Sequence, residues 1–335
     1  MKAYNLIGSL FILFVALTSC NSSPVGVKAT GLAYEVVVSM DANYWESDLG
    51  QAVKDDLLSS VPALPQAEPS TRITYATPKD FNGLLTYVRN IVIVRINPSM
   101  YTKAALTYEY DRWSNGQVVI YLNAPDTDMA ITYLKENERV MADFIEDVEK
   151  KRAADYFESN YSLVVHDNVK NKFNAVLKVP SEMTSSKDET GFFWASNNAN
   201  TGRIDVVVYD FPYTDSNTFT VDYLVAKRDS VMKNNMPGSF PNSYMTTDTK
   251  YATVSYTPIT LNGKYCGVMR GLWRMQGDMM GGPFVSHVRL DEINNRVVVV
   301  EGFVYAPETE KRNFIRRIEA ALYTLRIPGD DGFTN

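Results

Sequence analysis

Val298-Val299-Val300-Glu301-Gly302-Phe303-Val304-Tyr305-Ala306-Pro307-Glu308-Thr309-Glu310 is a β-branched run that stops at a proline and leads into a helical stretch. The same joint occurs twice more. Val119 to Asn123 leads to Ala124, Pro125, Asp126, Thr127 and Asp128, and Val206 to Tyr209 leads to Phe211, Pro212, Tyr213, Thr214 and Asp215. Proline removes a ladder donor and ends the strand, while acids and threonine suit the amide-rich start of a helix. Two readings stand level: one duplicated unit of hairpin plus helix, or generic capping used three times. Both give an α+β body, two lobes of largely antiparallel sheet with packed helices.

Working outward, Tyr34 to Met40 reads as a strand and Trp45 to Leu58 as a helix. Arg72 to Ala76, a short helix through Phe81 to Val88, and a buried strand at Ile91 to Ile96 follow. Leu106 to Trp113 and Gln117 to Asn123 flank Ser114, Asn115 and Gly116, a hairpin signal. Asp126 opens a long helix with Ala130, Leu134, Met141, Ile145 and Val148 on one face. Beyond it, strands are expected at Phe173 to Val179, Gly191 to Ser196, Arg203 to Phe211, Tyr251 to Thr257, Lys264 to Met275, Phe284 to Leu290 and Arg296 to Tyr305. A helix is expected at Val221 to Met232. A last helix turns Ile315, Ile318 and Leu322 inward and leaves Lys311, Arg312, Arg316 and Arg317 as a solvated basic face. At about 150 residues per domain, the length favours lobes at 34–160 and 161–335.

The N-terminus reads as an address. Lys2 precedes an apolar run from Leu6 to Leu17, then Thr18, Ser19 and Cys20. That run is shorter than the roughly 20 apolar residues a membrane-spanning helix needs, so residues 1–19 read as an export signal. The pattern resembles the lipobox of bacterial lipoproteins, with Ser19 where Gly or Ala is commoner. The resemblance implies acylation of Cys20, and several chains at about 0.8 kcal/mol per buried CH2 would hold the protein to a membrane. Residues 20–33, small and polar, read as a flexible tether.

Composition excludes several functions. The formal net charge is −6 and no Lys/Arg cluster stands out, so nucleic acid is not an expected partner. Cys20 and Cys266 are the only cysteines; with the first acylated no intramolecular disulfide can form, and Cys266 reads as an inert buried thiol. His166 and His287 each have a polar neighbour in sequence, Asp167 and Ser286, whose side chain is expected to diverge from the ring, which argues against a Ser-His-acid triad. No His pair has zinc spacing, and neither a metal nor a cofactor is expected. Paired carboxylates of a glycosidase remain open among 39 acids, none of which stands out.

The candidate ligand-binding residues are Arg270, Trp273 and Arg274, an indole between two arginines ahead of a Met and Gly loop. Trp273 with either arginine could make a stacking and hydrogen-bonding surface for a sugar, peptide or acidic group. Strand alternation argues otherwise, since Arg270 and Arg274 share one face and Trp273 the other. The competing reading is a hairpin with Trp273 in the core.

The lipobox, the Tyr34 to Met40 strand, Val61-Pro62-Ala63-Leu64-Pro65-Gln66-Ala67-Glu68-Pro69, Arg89-Asn90-Ile91 and Gly271-Leu272-Trp273 together resemble an uncharacterised family of Bacteroidota envelope lipoproteins, domain of unknown function 4837. The resemblance implies a lipid-anchored outer-membrane protein and supplies no reaction or catalytic residue. Asn21 and Ser22 lack the acidic run of a surface-export signal, which favours a periplasmic orientation. The expected function is a non-enzymatic binding or assembly module for an envelope protein or glycan; the alternative is a carboxylate-dependent glycan hydrolase.

Overall fold

The run Val118–Ala124, apolar but for Asn123, forms a strand buried along its whole length, as a strand with neighbours on both edges and layers on both faces must be. The computed structural model, which describes residues 26–333, builds the first sheet around it. In chain order this lobe contains β1 (Glu35–Ser39), α1 (Ala42–Trp45), α2 (Asp48–Leu57), β2 (Arg72–Ala76), β3 (Asn90–Ile96), β4 (Ala105–Tyr110), β5 (Val118–Ala124), α3 (Thr127–Glu136) and α4 (Val140–Phe157). The strand order is β2-β1-β3-β5-β4. Helices α2 to α4 cover one face over Val36, Val38, Val92 and Ile120, and Phe81, Leu85 and Trp113 cover Val37, Ile91 and Val119 on the other.

The α+β class and the two sheet lobes are as expected, but the pairing in this sheet is not. β1 runs parallel to β2 and β3, and β3 to β5; only β4 and β5 are antiparallel. The hairpin at Ser114 to Gly116 is a local signal, whereas parallel neighbours are joined by long crossovers that leave no turn to read.

The second lobe comprises α5 (Leu163–Phe173), β6 (Ser185–Glu189), β7 (Phe192–Ser196), β8 (Arg203–Pro212), α6 (Val221–Asn235), β9 (Tyr244–Thr247), β10 (Ser255–Leu261), β11 (Lys264–Gln276), β12 (Gly281–Asp291), β13 (Arg296–Tyr305) and α7 (Arg312–Leu322). Its strands run β10-β11-β12-β13-β8-β7-β6, with β9 also on β11, and every pairing is antiparallel. One face, with Val206, Val268, Val285 and Val300, packs against α5 and α7; the other, with Tyr209, Trp273 and Phe303, packs against α6. Gly302 sets how close α7 comes, because a Cβ there would lie 2.6 Å from Ile318 Cγ1.

Other departures have local causes. The long helix expected from Asp126 is two helices, broken at Arg139, whose φ of 62° cannot continue a right-handed helix. Phe173 to Val179 makes only one bridge, Val176 to Arg326, and α5 precedes it where no helix was expected. Residues 27–30 of the expected tether are docked: Ala29 N donates to Asn115 O at 2.9 Å, and Thr30 N to Tyr87 O at 2.8 Å. The export segment 1–19, Cys20 and residues 21–25 lie outside the described residues.

The three proline joints differ in what satisfies the helix. Asp126 Oδ1 accepts from Met129 N at 2.8 Å, as read. Asp215 caps only a short 3-10 turn, and α6 starts after it. At the third, Glu308 and Glu310 do not cap α7; Lys311 N and Arg312 N donate to the carboxylate of Glu68, in the first lobe, at 2.8 and 2.9 Å. This variety favours generic capping over duplication.

Glu68 thereby ties the lobes together from a site that is 5% exposed. Glu68→Ala is expected to lower the unfolding free energy by about 2 kcal/mol, the range of a lost cap with charge-assisted bonds. Urea denaturation checks this, and an unchanged midpoint would remove Glu68 from the account.

Candidate functional site

Helix α7 is buried on two sides. Ile315, Ile318 and Leu322 meet the large sheet, while Arg312, Arg316 and Glu319 turn toward the first lobe. This corrects the expected solvated basic face: Arg312 and Arg316 are each 6% exposed, and Arg317 alone of the basic set faces solvent. The burial is tolerated because each guanidinium has oxygen partners. Arg312 Nη1 donates to Pro69 O at 2.6 Å, Arg316 Nη1 to Ser70 O at 2.7 Å, and Arg316 Nη2 to Glu146.

Those partners lie on α4 and on the connection between α2 and β2, which contains Val61 to Pro69. Leu64 from this connection packs into the second lobe's core. Arg139, at the α3–α4 break, fastens the connection's two ends, donating to Ser59 Oγ at 2.8 Å, Ser60 O at 2.7 Å and Ser70 Oγ at 3.3 Å. Arg139 also bridges to Asp143 and Glu146 at 2.9 and 3.1 Å.

Between the lobes this leaves a cleft of about 330 Å³, walled by Tyr34, Ala63, Lys150, Arg270, Arg316 and Glu319, with Ser255 and Thr257 from β10 at its side. Arg270 reaches it from β11, and its Nη2 donates to Glu319 Oε1. Lys150 Nζ lies 3.7 Å from the same oxygen. Burial pushes the Glu319 carboxyl up, but Arg270 and Lys150 outweigh it and hold the group below the ordinary carboxylate range. Burial likewise opposes the charge on Arg270, and Glu319 more than restores it. Burial raises the Tyr34 phenol well above its usual range, and the Arg316 guanidinium lies 4.2 Å over its ring. The site is thus an array of fixed charges and neutral hydroxyl groups.

The three candidate residues do not converge. Arg270 is in the cleft. Trp273 is 1% exposed on the opposite face, its indole N–H donating to Val304 O at 3.2 Å and its ring edge-on to Phe303, so it serves the core. Arg274 bonds Gln276 at 2.7 Å, two residues along the same strand. Sequence reasoning missed Lys150, Arg316 and Glu319. The available signal was complementary charge on two helices, Glu146 and Lys150 one turn apart on α4 and Arg316 and Glu319 on α7.

His287 lies behind the cleft on β12, fully buried, with neither ring nitrogen hydrogen-bonded among the described residues and Tyr323 edge-on at 4.7 Å. Burial pushes its pKa down to about 3, so it is neutral. At His166 the expected divergence does not hold: Nδ1 is 2.9 Å from Asp167 Oδ1, at the surface of α5. Burial raises the Cys266 thiol to about 12, the condition of an inert residue. Asp56 is also raised by burial, to about 6; its Oδ1 accepts from Met141 N and Ala142 N at the start of α4, while Oδ2 has no partner among the described residues.

Residues 162–324 match the family model described as Domain of unknown function (DUF4837), and residues 29–158 match Domain of unknown function (DUF8532). No curated protein matches. A 1.50 Å crystal structure from Bacteroides thetaiotaomicron VPI-5482 is similar at 12% identity over 46% of this chain, with a TM-score of 0.23. The chain spans 44% of that solved chain's length.

Proposed function

We propose that this chain, whose residues 162–324 belong to the domain of unknown function (DUF4837) family, is a lipid-anchored envelope module that binds an envelope protein or glycan in its inter-lobe cleft. The observation that carries the reading is the Glu319–Arg270–Lys150 group. A carboxyl held below its ordinary range stays charged and orients the guanidinium, which suits recognition of a polar or acidic group. General acid catalysis asks for the reverse, a carboxyl raised toward neutrality. The glycan hydrolase is the second reading, favoured by Asp143, Glu146 and Glu319 lining one cleft, yet each of these is committed to an arginine.

The anchor in this proposal is Cys20, placing the body on the outer membrane and facing the periplasm. No helix among the described residues is long and apolar enough to cross a membrane. Cys20→Ala is expected to move the protein from the membrane to the soluble fraction on cell fractionation; retention in the membrane would contradict an acyl anchor. For the cleft, the expected result is a reproducible protein or glycan co-isolated with the full-length chain from envelope extracts and lost with Arg270→Ala. Equal recovery with the variant would exclude the cleft, and cleavage of a co-isolated glycan would favour the hydrolase.

A further inference from the structure

A second cavity, of about 560 Å³, shares only Tyr34 with the cleft. Much of its wall is apolar: Leu32, Ala153, Tyr156 and Phe157. Leu32 and Tyr156 are 68% and 59% exposed. Into this surface project Arg89, preceding β3, and Arg152, on α4.

The charges there do not balance. Glu149, 2% exposed, is the carboxylate for both arginines: Arg89 Nη2 donates to Oε2 at 2.6 Å and Arg152 Nη1 to Oε1 at 2.8 Å. Asn90 Nδ2 also donates to Oε1, at 2.7 Å, so Glu149 has little capacity left. Arg317, the third arginine of the wall, is joined to Glu182. One positive charge therefore remains over at the Arg89 and Arg152 pair, whose side chains are 25% and 19% exposed. Arg89 Nε is buried with no partner among the described residues. Arg152 registers the imbalance: burial lowers its pKa first, and although Glu149 opposes this, the like charge of Arg89 lowers it further. An apolar wall next to an uncompensated guanidinium pair suits a ligand with a hydrocarbon part and one negative charge.

We propose that this cavity binds an amphipathic anion, an acyl chain carrying a carboxylate or phosphate, as a site independent of the inter-lobe cleft. The charged head would meet Arg89 and Arg152, and the chain would lie along Ala153, Tyr156 and Phe157. A free fatty acid and a phospholipid offer the same chemistry, so the test uses a probe for each.

The experiment is an amide chemical-shift titration of the full chain with decanoate, with decanol, and with dihexanoyl phosphatidylglycerol. Decanoate or the phospholipid is expected to shift the amides of Ala153, Tyr156 and Phe157, and the tighter of the two identifies the source. Decanol, with the same chain and no charge, is expected to bind at least about tenfold more weakly than decanoate. Arg152→Gln should weaken binding of the anion; because Arg152 also supports Glu149, Tyr156→Glu provides a second variant, placing a repelling charge on an exposed wall position. Shifts from neither anion, equal binding of decanol and decanoate, or undiminished anion binding by Tyr156→Glu would overturn the proposal.

Discussion

Arg228→Met is expected to lower the free energy of unfolding by about 3–5 kcal/mol, the cost of leaving a buried charge without its partner. Arg228 on α6 and Glu301 on β13 are both fully buried. Arg228 Nε donates to both carboxylate oxygens, at 3.1 and 2.9 Å, and Nη2 to Oε1 at 2.7 Å. The rest of the network is satisfied: Nη1 donates to Thr247 Oγ1 at 3.0 Å, Ser286 Oγ donates to Glu301 Oε2 at 2.6 Å, and Phe284 lies 4.0 Å beneath the guanidinium. Methionine fills the space but leaves Glu301 with Ser286 as its side-chain partner. The double variant Arg228→Met/Glu301→Gln should regain most of the loss, since the desolvated charge is gone. Urea denaturation of the single and double variants measures this. If both are equally destabilised, lost packing rather than the stranded carboxylate is the cause.

The second large effect is acid sensitivity from His287. Its folded pKa of about 3 lies below the ordinary 6.5, so as pH falls the unfolded chain takes up the proton first. Stability from this group is complete above 6.5 and is lost toward 3, at up to about 1.4 kcal/mol per pH unit and about 4–5 kcal/mol in total. The groups acting on the ring are Glu319, which favours its charge, and Arg270, Lys150 and Arg289, which oppose it. Asp56 works in the opposite direction. Its folded value of about 6 against 3.8 means that stability falls as pH rises through that window, so the wild-type profile is flatter than His287 alone would make it. The difference between wild type and His287→Phe isolates the histidine. The variant should match or exceed wild type at pH 7, because it removes two nitrogens without a partner among the described residues and keeps a ring against Tyr323, and its advantage should grow steadily below pH 6.5. A constant difference between pH 7 and pH 4 would show that the ring is not desolvated as described.

The cleft lies next to the second of these groups: β11 supplies Arg270 and α7 supplies Glu319 and Arg316 to its wall, while β12 holds His287 buried behind it. What the sequence disclosed was what local patterns encode. The bounds of β2 and β13 were legible to the residue because their β-branched and aromatic residues are bounded by turn or proline signals. The hairpin closing on β5 was legible from Asn115 and Gly116. The parallel pairing of β1 with β2 and β3 was not, because it depends on contacts between segments far apart in sequence. The same limit governed the site. Arg270 was singled out for its neighbours in sequence, Trp273 and Arg274, yet its working partners are Glu319 and Lys150, brought by two helices. Arg316 was read as solvated because a charged helix face normally meets water. Here the first lobe, held through Glu68, takes water's place.

The central claim is that the inter-lobe cleft binds an envelope partner through Arg270, and its most direct measurement is photocrosslinking in intact cells from a probe at Thr257, in the cleft wall. One reproducible adduct is expected at Thr257, lost when Arg270→Ala is introduced and absent when the probe is moved to exposed Lys103. No adduct at Thr257 above the Lys103 control, or one unaffected by Arg270→Ala, would contradict it.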